Sequence, residues 1–316
     1  MILGGGGFMC GTGGSALIAH TLGEGDEGKA RQRFSLFIYA GAGAGVAIGA
    51  LGFVLVRPVA AWLGAEGSML EDCVLYGRIT LLALPALMLQ YEFQSFFITA
   101  AKPGLGLAVT VAAGCTNMVL DALFTAIFPW GLAGAAAATA VSQLVGGIVP
   151  LFYFGRKNKS LLRLCGTGFD GKALLKACAN GSSELMSNIS MSIVSMLYNA
   201  QLIRYAGEDG IAAYGVLMYV SMVFLAMFIG YSTGVAPVVG FHYGAGSHTE
   251  LRSLYRKSLA ITLTASAVML ALAEALARPF SAVFVSYDPG LFQMTVHAFA
   301  VYSFYFLFSG LAIFGS

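Results

Sequence analysis

Residues 13–33, "GGSALIAHTLGEGDEGKARQR", and residues 234–254, "GVAPVVGFHYGAGSHTELRSL", are two versions of one passage. A shift of 221 positions places Gly13 on Gly234, Gly23 on Gly244, Gly25 on Gly246 and Arg31 on Arg252 without a gap. The correspondence runs on: Leu51 and Leu55 fall on Leu272 and Leu276, and Arg57-Pro58 falls on Arg278-Pro279. Eleven of the 49 positions from 13 to 61 are identical. In so apolar a sequence, identity alone carries little weight. The ungapped agreement of a Gly-x-Gly, a loop arginine and a distant Arg-Pro establishes an internal repeat.

The rest of the sequence places that repeat in a lipid bilayer. Of 316 residues, 58% are hydrophobic and 10% charged, whereas soluble domains carry about 25% charged residues. Such a chain cannot clothe itself for water, and it reads as a polytopic membrane protein. The net charge of +2 is small and dispersed, which argues against a nucleic-acid partner. Cys10, Cys73, Cys115, Cys165 and Cys178 are odd in number and far apart, so neither a disulfide framework nor a zinc site is indicated. The N-terminus lacks the basic region of a signal peptide.

A spanning helix needs about 20 mostly apolar residues. Reading between charged or turn-rich breaks predicts nine: 1–22, 34–56, 74–100, 104–128, 131–154, 177–204, 211–241, 257–285 and 290–314. The long Ala/Leu/Val/Gly runs do not alternate as barrel strands would, so the fold class is all-α. Alternate loops hold thirteen of the seventeen basic residues, among them Lys29, Lys102, Lys157, Lys172 and Arg256. By the positive-inside rule those loops are cytoplasmic.

The offset also sets an expected architecture. The partners of three visible helices fall outside the sequence, which predicts twelve helices in two pseudo-symmetric bundles of six. The expected division is a first bundle over 1–154, a cytoplasmic linker over 155–176 and a second bundle over 177–316. An even number of helices per copy keeps both copies in the same orientation. On this reading the chain is an internal fragment that lacks the first and the last two helices.

Ionisable groups at membrane depth are expensive and therefore point to function. Glu184, Asn188, Ser192, Ser195 and Asn199 recur at +4, +8, +11 and +15, one face of a helix over several turns. Their oxygens suit a hard cation such as sodium, and the carboxylate alone suits a proton. Thr110, Gly114, Asn117, Asp121 and Thr125 form a second such face, on which Asn117 and Asp121 are one turn apart and can share a hydrogen bond. Gln90 and Gln94 share a face and are assigned to a substrate cavity. Glu92 points away from that face, and Pro85 in the same helix is placed to kink it. Glu274 lies one turn before Arg278, which predicts a local ion pair. "GAGAGVAIG" at 41–49 sits inside an apolar span, so its glycines are read as close helix packing rather than a nucleotide loop. Met191, Met196, Tyr198, Met218, Tyr219, Met222 and Phe224 are read mostly as core or lipid-facing residues, a few of them offering an apolar wall for organic cations.

"GTGGSALIAHTLGEGDEGKARQRF" (11–34), "QYEFQSFFITAAKPGLGLAVTVAAGCTNMVLDALF" (90–124), "WGLAGAAAATAVSQLVGG" (130–147) and "NGSSELMSNISMSIVSMLYN" (180–199) resemble the MATE family of multidrug efflux transporters. The resemblance covers essentially the whole chain. It implies twelve helices in two pseudo-symmetric bundles, and expulsion of organic cations in exchange for sodium ions or protons. It places Asp121 in a polar network of the first bundle. The family's first helix, which in many members carries an ion-linked Asp, has no counterpart here, and helix 290–314 holds no carboxylate.

The reading is therefore an ion-coupled antiporter working by alternating access, a non-enzyme that uses sodium or protons as coupling ion and no cofactor. The expected ion-coupling set is Glu184, Asp121, Asn117 and Asn188. The expected substrate-cavity set is Ser192, Ser195, Asn199, Gln90 and Gln94. The alternative is a lipid-linked saccharide flippase, but that cargo calls for cations around a pyrophosphate, and no Lys or Arg occupies a span centre. The protein is expected to act as a monomer in the plasma membrane, the inner membrane of a prokaryote. A single cysteine kept within 156–172, where Cys165 already lies, should react with an impermeant maleimide only from the cytoplasmic face. Labelling from outside would overturn the orientation.

Overall fold

The computed structural model describes residues 2–62, 65–157, 160–285 and 288–315, leaving aside the side chains of Ile2, Leu3, Asn188 and Glu208. Every regular element among them is helical. In order they are α1 (Ile2–Gly23), α2 (Glu27–Trp62), α3 (Gly67–Leu82), α4 (Leu84–Thr99), α5 (Pro103–Ala122), α6 (Gly131–Gly155), α7 (Gly171–Gly244), α8 (His248–Val285), α9 (Pro289–Tyr302) and α10 (Phe304–Gly315). A π-helical turn, Leu123–Ile127, extends α5. Five segments are long and apolar enough to cross a bilayer, and seven if the bent pairs α3–α4 and α9–α10 each count as one. These seven match seven of the nine predicted spans. The remaining two are helices as well, but one is diluted by glycine in α1 and the other by Ser and Asn in residues 177–204 of α7. Large side chains such as Val54 and Trp62 stay exposed on α2, as a lipid-facing surface requires.

The repeat is visible in the backbone. α1 closes with Gly25 at φ 85° and α7 with Gly246 at φ 66°, a left-handed conformation that glycine adopts without steric cost. The Asp26 N–H donates to the Thr21 carbonyl at 3.3 Å, and 221 residues later the Ser247 N–H donates to the His242 carbonyl at 3.0 Å. α2 and α8 follow, with Pro58 and Pro279 at matching positions. The next span is broken in both copies, by 50° between α3 and α4 and by 44° between α9 and α10. In the first copy Pro85, at the start of α4, supplies the kink expected of it, since it offers no N–H to the preceding turn. In the second copy no proline stands at the break, and the Ser303 hydroxyl instead donates to the Ala300 carbonyl and to Glu274.

α7 starts earlier than its apolar stretch because Asp170 caps it: Oδ1 accepts from the backbone N–H groups of Lys172 and Ala173, both at 3.1 Å. Gly207, at φ 63° and ψ −152°, breaks it into arms of 171–206 and 208–244, between the predicted spans 177–204 and 211–241. The chain divides into two compact units, Met1–Asn188 and Ile189–Ser316, with the boundary inside the first arm of α7. The segment after α6 packs on the first unit, where Leu162 is fully buried and Ser35 Oγ accepts from the Cys165 N–H at 2.9 Å.

The first unit is centred on Phe34, Phe93, Phe96 and Phe154, with the Phe34 and Phe96 rings edge to face at 5.3 Å. The second is centred on Phe224, Phe299 and Phe306. Around the first core, glycines let backbones touch. A β-carbon at Gly13 would collide with the Ala177 carbonyl, and one at Gly181 with the carbonyl of Met9. In α2, Gly45 meets Pro85 and Gly49 meets Leu81, while Gly43 faces open space, which bears out close packing through the "GAGAGVAIG" run. Gly13→Ala and Gly181→Ala should therefore each destabilise by about 1–3 kcal/mol through overpacking. Gly43→Ala and Gly114→Ala, with nothing near the added carbon, should be neutral or stabilising by about 0.4–1 kcal/mol. Thermal unfolding of the four variants in detergent measures the contrast.

Candidate functional site

The polar residues fall on three helices. On the 171–206 arm of α7, Glu184, Ser192 and Ser195 are half-buried and Asn199 is exposed. The side chain of Asn188 lies outside the described residues. Helical spacing puts all five on one face. The Ser195 and Tyr214 hydroxyls share a hydrogen bond, and the Tyr214 ring stacks on Tyr198 with centroids 5.4 Å apart and planes 4° from parallel. Tyr302 lies beside Ser221 and packs against Tyr305 at 5.2 Å. The second unit thus carries a cluster of tyrosines and serine hydroxyls around the lower part of the α7 stripe. Tyr214, Tyr302 and Tyr305 carried no spacing signal in the sequence, because they come from different helices. Of the proposed apolar wall, Phe224 is core, while Met191, Met196, Tyr219 and Met222 are exposed.

On α5, Asn117 and Asp121 are half-buried and Thr110 is exposed. Asp121 Oδ1 is buried without a hydrogen-bond partner, so the expected bond from Asn117 does not satisfy it. Asp121 stands two residues before the π-helical segment, a widened turn often found at functional positions, and the Thr125 hydroxyl donates to its backbone carbonyl. An unpartnered carboxylate oxygen beside that turn is free to take a proton or a cation.

On α4, Gln90 and Gln94 are half-buried and line, with Phe97, Thr110 and Gly146, a cavity of about 10 Å³. That is close to the smallest space that holds one water molecule, so in this structure the two glutamines face a packed α4–α5–α6 junction. Glu92 on the same helix is fully buried, and neither carboxylate oxygen has a hydrogen-bond partner. The expected Glu274–Arg278 pair does not form. Glu274 instead accepts from Ser303, which stands at the break between α9 and α10.

Comparison with known proteins places this geometry. The sequence profile of the MatE family matches residues 1–123 and 185–316. Multidrug export protein MepA of Staphylococcus haemolyticus (strain JCSC1435) is 25% identical over 238 residues, 75% of this chain and 52% of that protein. MepA of Staphylococcus aureus (strain N315) is 25% identical over 249 residues, 77% and 54% of the two chains. The chain thus spans about half the length of the curated relatives it matches. Among solved structures, an outward-facing multidrug resistance MATE family transporter of the MOP superfamily superposes with a TM-score of 0.91 at 20% identity, over 99% of this chain and 70% of the other. A MOP superfamily transporter from Pyrococcus furiosus Vc1 (DSM3638), whose binding pocket of reversed polarity suggests a different function, gives 0.89 at 19%, over 100% and 73%. These likenesses carry the fold, and the profile carries the family. With its repeated helices and buried polar residues, the chain belongs to the MatE family.

Proposed function

We propose that the protein exports organic cations by alternating access in exchange for sodium ions or protons, with Glu184 as a coupling carboxylate. The observation that supports this most is the α7 stripe, a half-buried carboxylate followed at helical spacing by side chains that all bear oxygen. Membership of the MatE family and the likeness to proteins named for multidrug export agree with it. Cationic cargo follows from the charge distribution, since no span centre carries a Lys or Arg that would repel it. Asp121, with its unpartnered oxygen, is proposed to serve the same chemistry on α5 together with Asn117, and Asn188 to support Glu184. Ser192, Ser195, Asn199 and the neighbouring tyrosines would offer hydroxyls and ring faces to a bound cation. Gln90 and Gln94 would line cargo space only in a conformation that opens the α4–α5–α6 junction.

Antiport has a simple physical basis here. A bound ion and a bound organic cation compete for one negative charge, so occupancy by one weakens the other reciprocally. Glu184→Gln keeps size and hydrogen-bonding capacity but removes that charge. Losing one member of a desolvated charge pair costs about 2–5 kcal/mol, which is tenfold or more in affinity. Ethidium efflux from vesicles under an imposed proton or sodium gradient should therefore fall at least about tenfold in Glu184→Gln, with less loss in Asp121→Asn. Undiminished gradient-driven efflux by folded Glu184→Gln would remove Glu184 from the mechanism.

A further inference from the structure

Glu92 is the one carboxylate among the described residues that is fully enclosed, and the export reading gives it no task. It sits where three helices meet. α1 lays Gly11 against its Cα, such that a β-carbon on Gly11 would lie 2.9 Å away. α2 lays Gly41 against the carboxylate itself, so that a β-carbon there would collide with Oε1. Both oxygens are buried without a hydrogen-bond partner, and no Lys, Arg or His pairs with them among the described residues. The titratable groups facing it are Cys10 of α1 and, beside Cys10, Cys178 of α7. α2 presents glycine, and residues 34–56 contain no charge.

A merely structural role would not need a carboxyl there. In the second copy, the offset of 221 puts Thr262 in place of Gly41 and Ile313 in place of Glu92, and the one-residue difference at the helix break would make it Ala312. The same helix crossing is thus built with an apolar residue and no carboxylate. An enclosed ionised carboxylate without donors is costly, and a hard cation calls for several oxygen ligands, whereas Cys10, Gly11 and Gly41 bring no side-chain oxygen to this junction. A proton needs only the carboxyl.

A column of buried hydroxyls leads from Glu92 toward the end of α4. Ser95 and Thr99 follow it on α4 at +3 and +7, one face of the helix, and both are buried. Ser95 Oγ has no partner. Thr99 Oγ1 lies 2.8 Å from the buried Ser15 hydroxyl of α1, and Thr99 is the last residue of α4. α1 ends on the same side, where Arg33 holds the buried Thr21 hydroxyl. The column from Glu92 to Thr99 covers about 10 Å at 1.5 Å per residue.

We propose that Glu92 is a proton-binding site of the first unit, filled and emptied through the Ser95, Thr99 and Ser15 hydroxyls. Its service to transport rests on the export reading above, whereas the protonation does not. The test is infrared difference spectroscopy of the chain in lipid bilayers through a cycle of pH, with no drug added. A carbonyl-stretch band of a buried carboxylic acid should appear reversibly on acidification and be lost in E92Q. Thr99→Val should slow its appearance after a pH jump several-fold while preserving its amplitude. Gly41→Ala keeps the carboxyl but fills its space, so it should shift the midpoint of the band. The assignment is overturned by a band that persists in E92Q, by one present at every pH where the protein stays folded, or by a midpoint that Gly41→Ala leaves unmoved. A midpoint that responds to sodium chloride and not to potassium chloride would make the occupant sodium and equally overturn it. A titrating Glu92 band in a protein without efflux would fail the export reading alone. Efflux with a silent Glu92 would fail this proposal alone.

Discussion

Backbone contact through glycine governs the first unit. α1 approaches α4 so closely that β-carbons at Gly7 and Gly11 would come within 2.6 Å of the Met88 carbonyl and 2.9 Å of the Glu92 Cα. Further along the same helix, Gly13 touches Ala177, and Gly181 touches Met9 in return. In lipid there is little hydrophobic gain from bringing apolar helices together, so close van der Waals contact through small residues supplies the attraction. The burial of Glu92, Ser95 and Thr99 follows from that closeness, because α1 and α2 have no side chains there to stand off the carboxyl or admit water. The glycines set the spacing, and the spacing decides which polar groups are enclosed.

The second unit repeats the outline and changes the interior. Its helix stops, broken span and internal proline recur at the same offset. Where the first copy has Gly41 and Gly45, however, the second has Thr262 and Ser266, both buried. Ser266 meets Gly310, so the small residue has moved to the partner helix. Two copies with one backbone plan and different polar interiors can divide labour, since the enclosed carboxyl on α4 has no counterpart in the second.

Much of this plan was legible because it depends on local rules. Glycine at Gly25 and Gly246 stops a helix wherever the left-handed conformation is needed, and apolar length marks a span whether or not its neighbours are known. Periodicity correctly set Glu92 apart from the Gln90–Gln94 face, but it says nothing of what lies opposite. That Gly41 faces Glu92 depends on how α2 packs, and the two are 51 positions apart in the sequence. Glu274 illustrates the same limit: Arg278 is one turn away on its own helix, yet the break beyond Ser303 brings a hydroxyl 29 residues distant within reach. Asn117 and Asp121 were rightly placed on one face, and the π-helical turn that follows could not be read from their spacing. The tyrosines of the second unit were invisible for the same reason, since Tyr198, Tyr214 and Tyr302 converge from three segments.

The closed interface of α1 with α4 and α7 can be tested at a native side chain. Cys10 lies inside it, buried beside Glu92 and Cys178, whereas Cys73 on α3 is exposed. Treating the protein in bilayers with N-ethylmaleimide, a membrane-permeant thiol reagent, and mapping adducts by mass spectrometry reads the interface directly. The glycine-mediated contact predicts that Cys73 is modified while Cys10 stays unmodified until the protein is unfolded. Modification of Cys10 in the folded protein at the rate of Cys73 would show the interface open to solvent and contradict it.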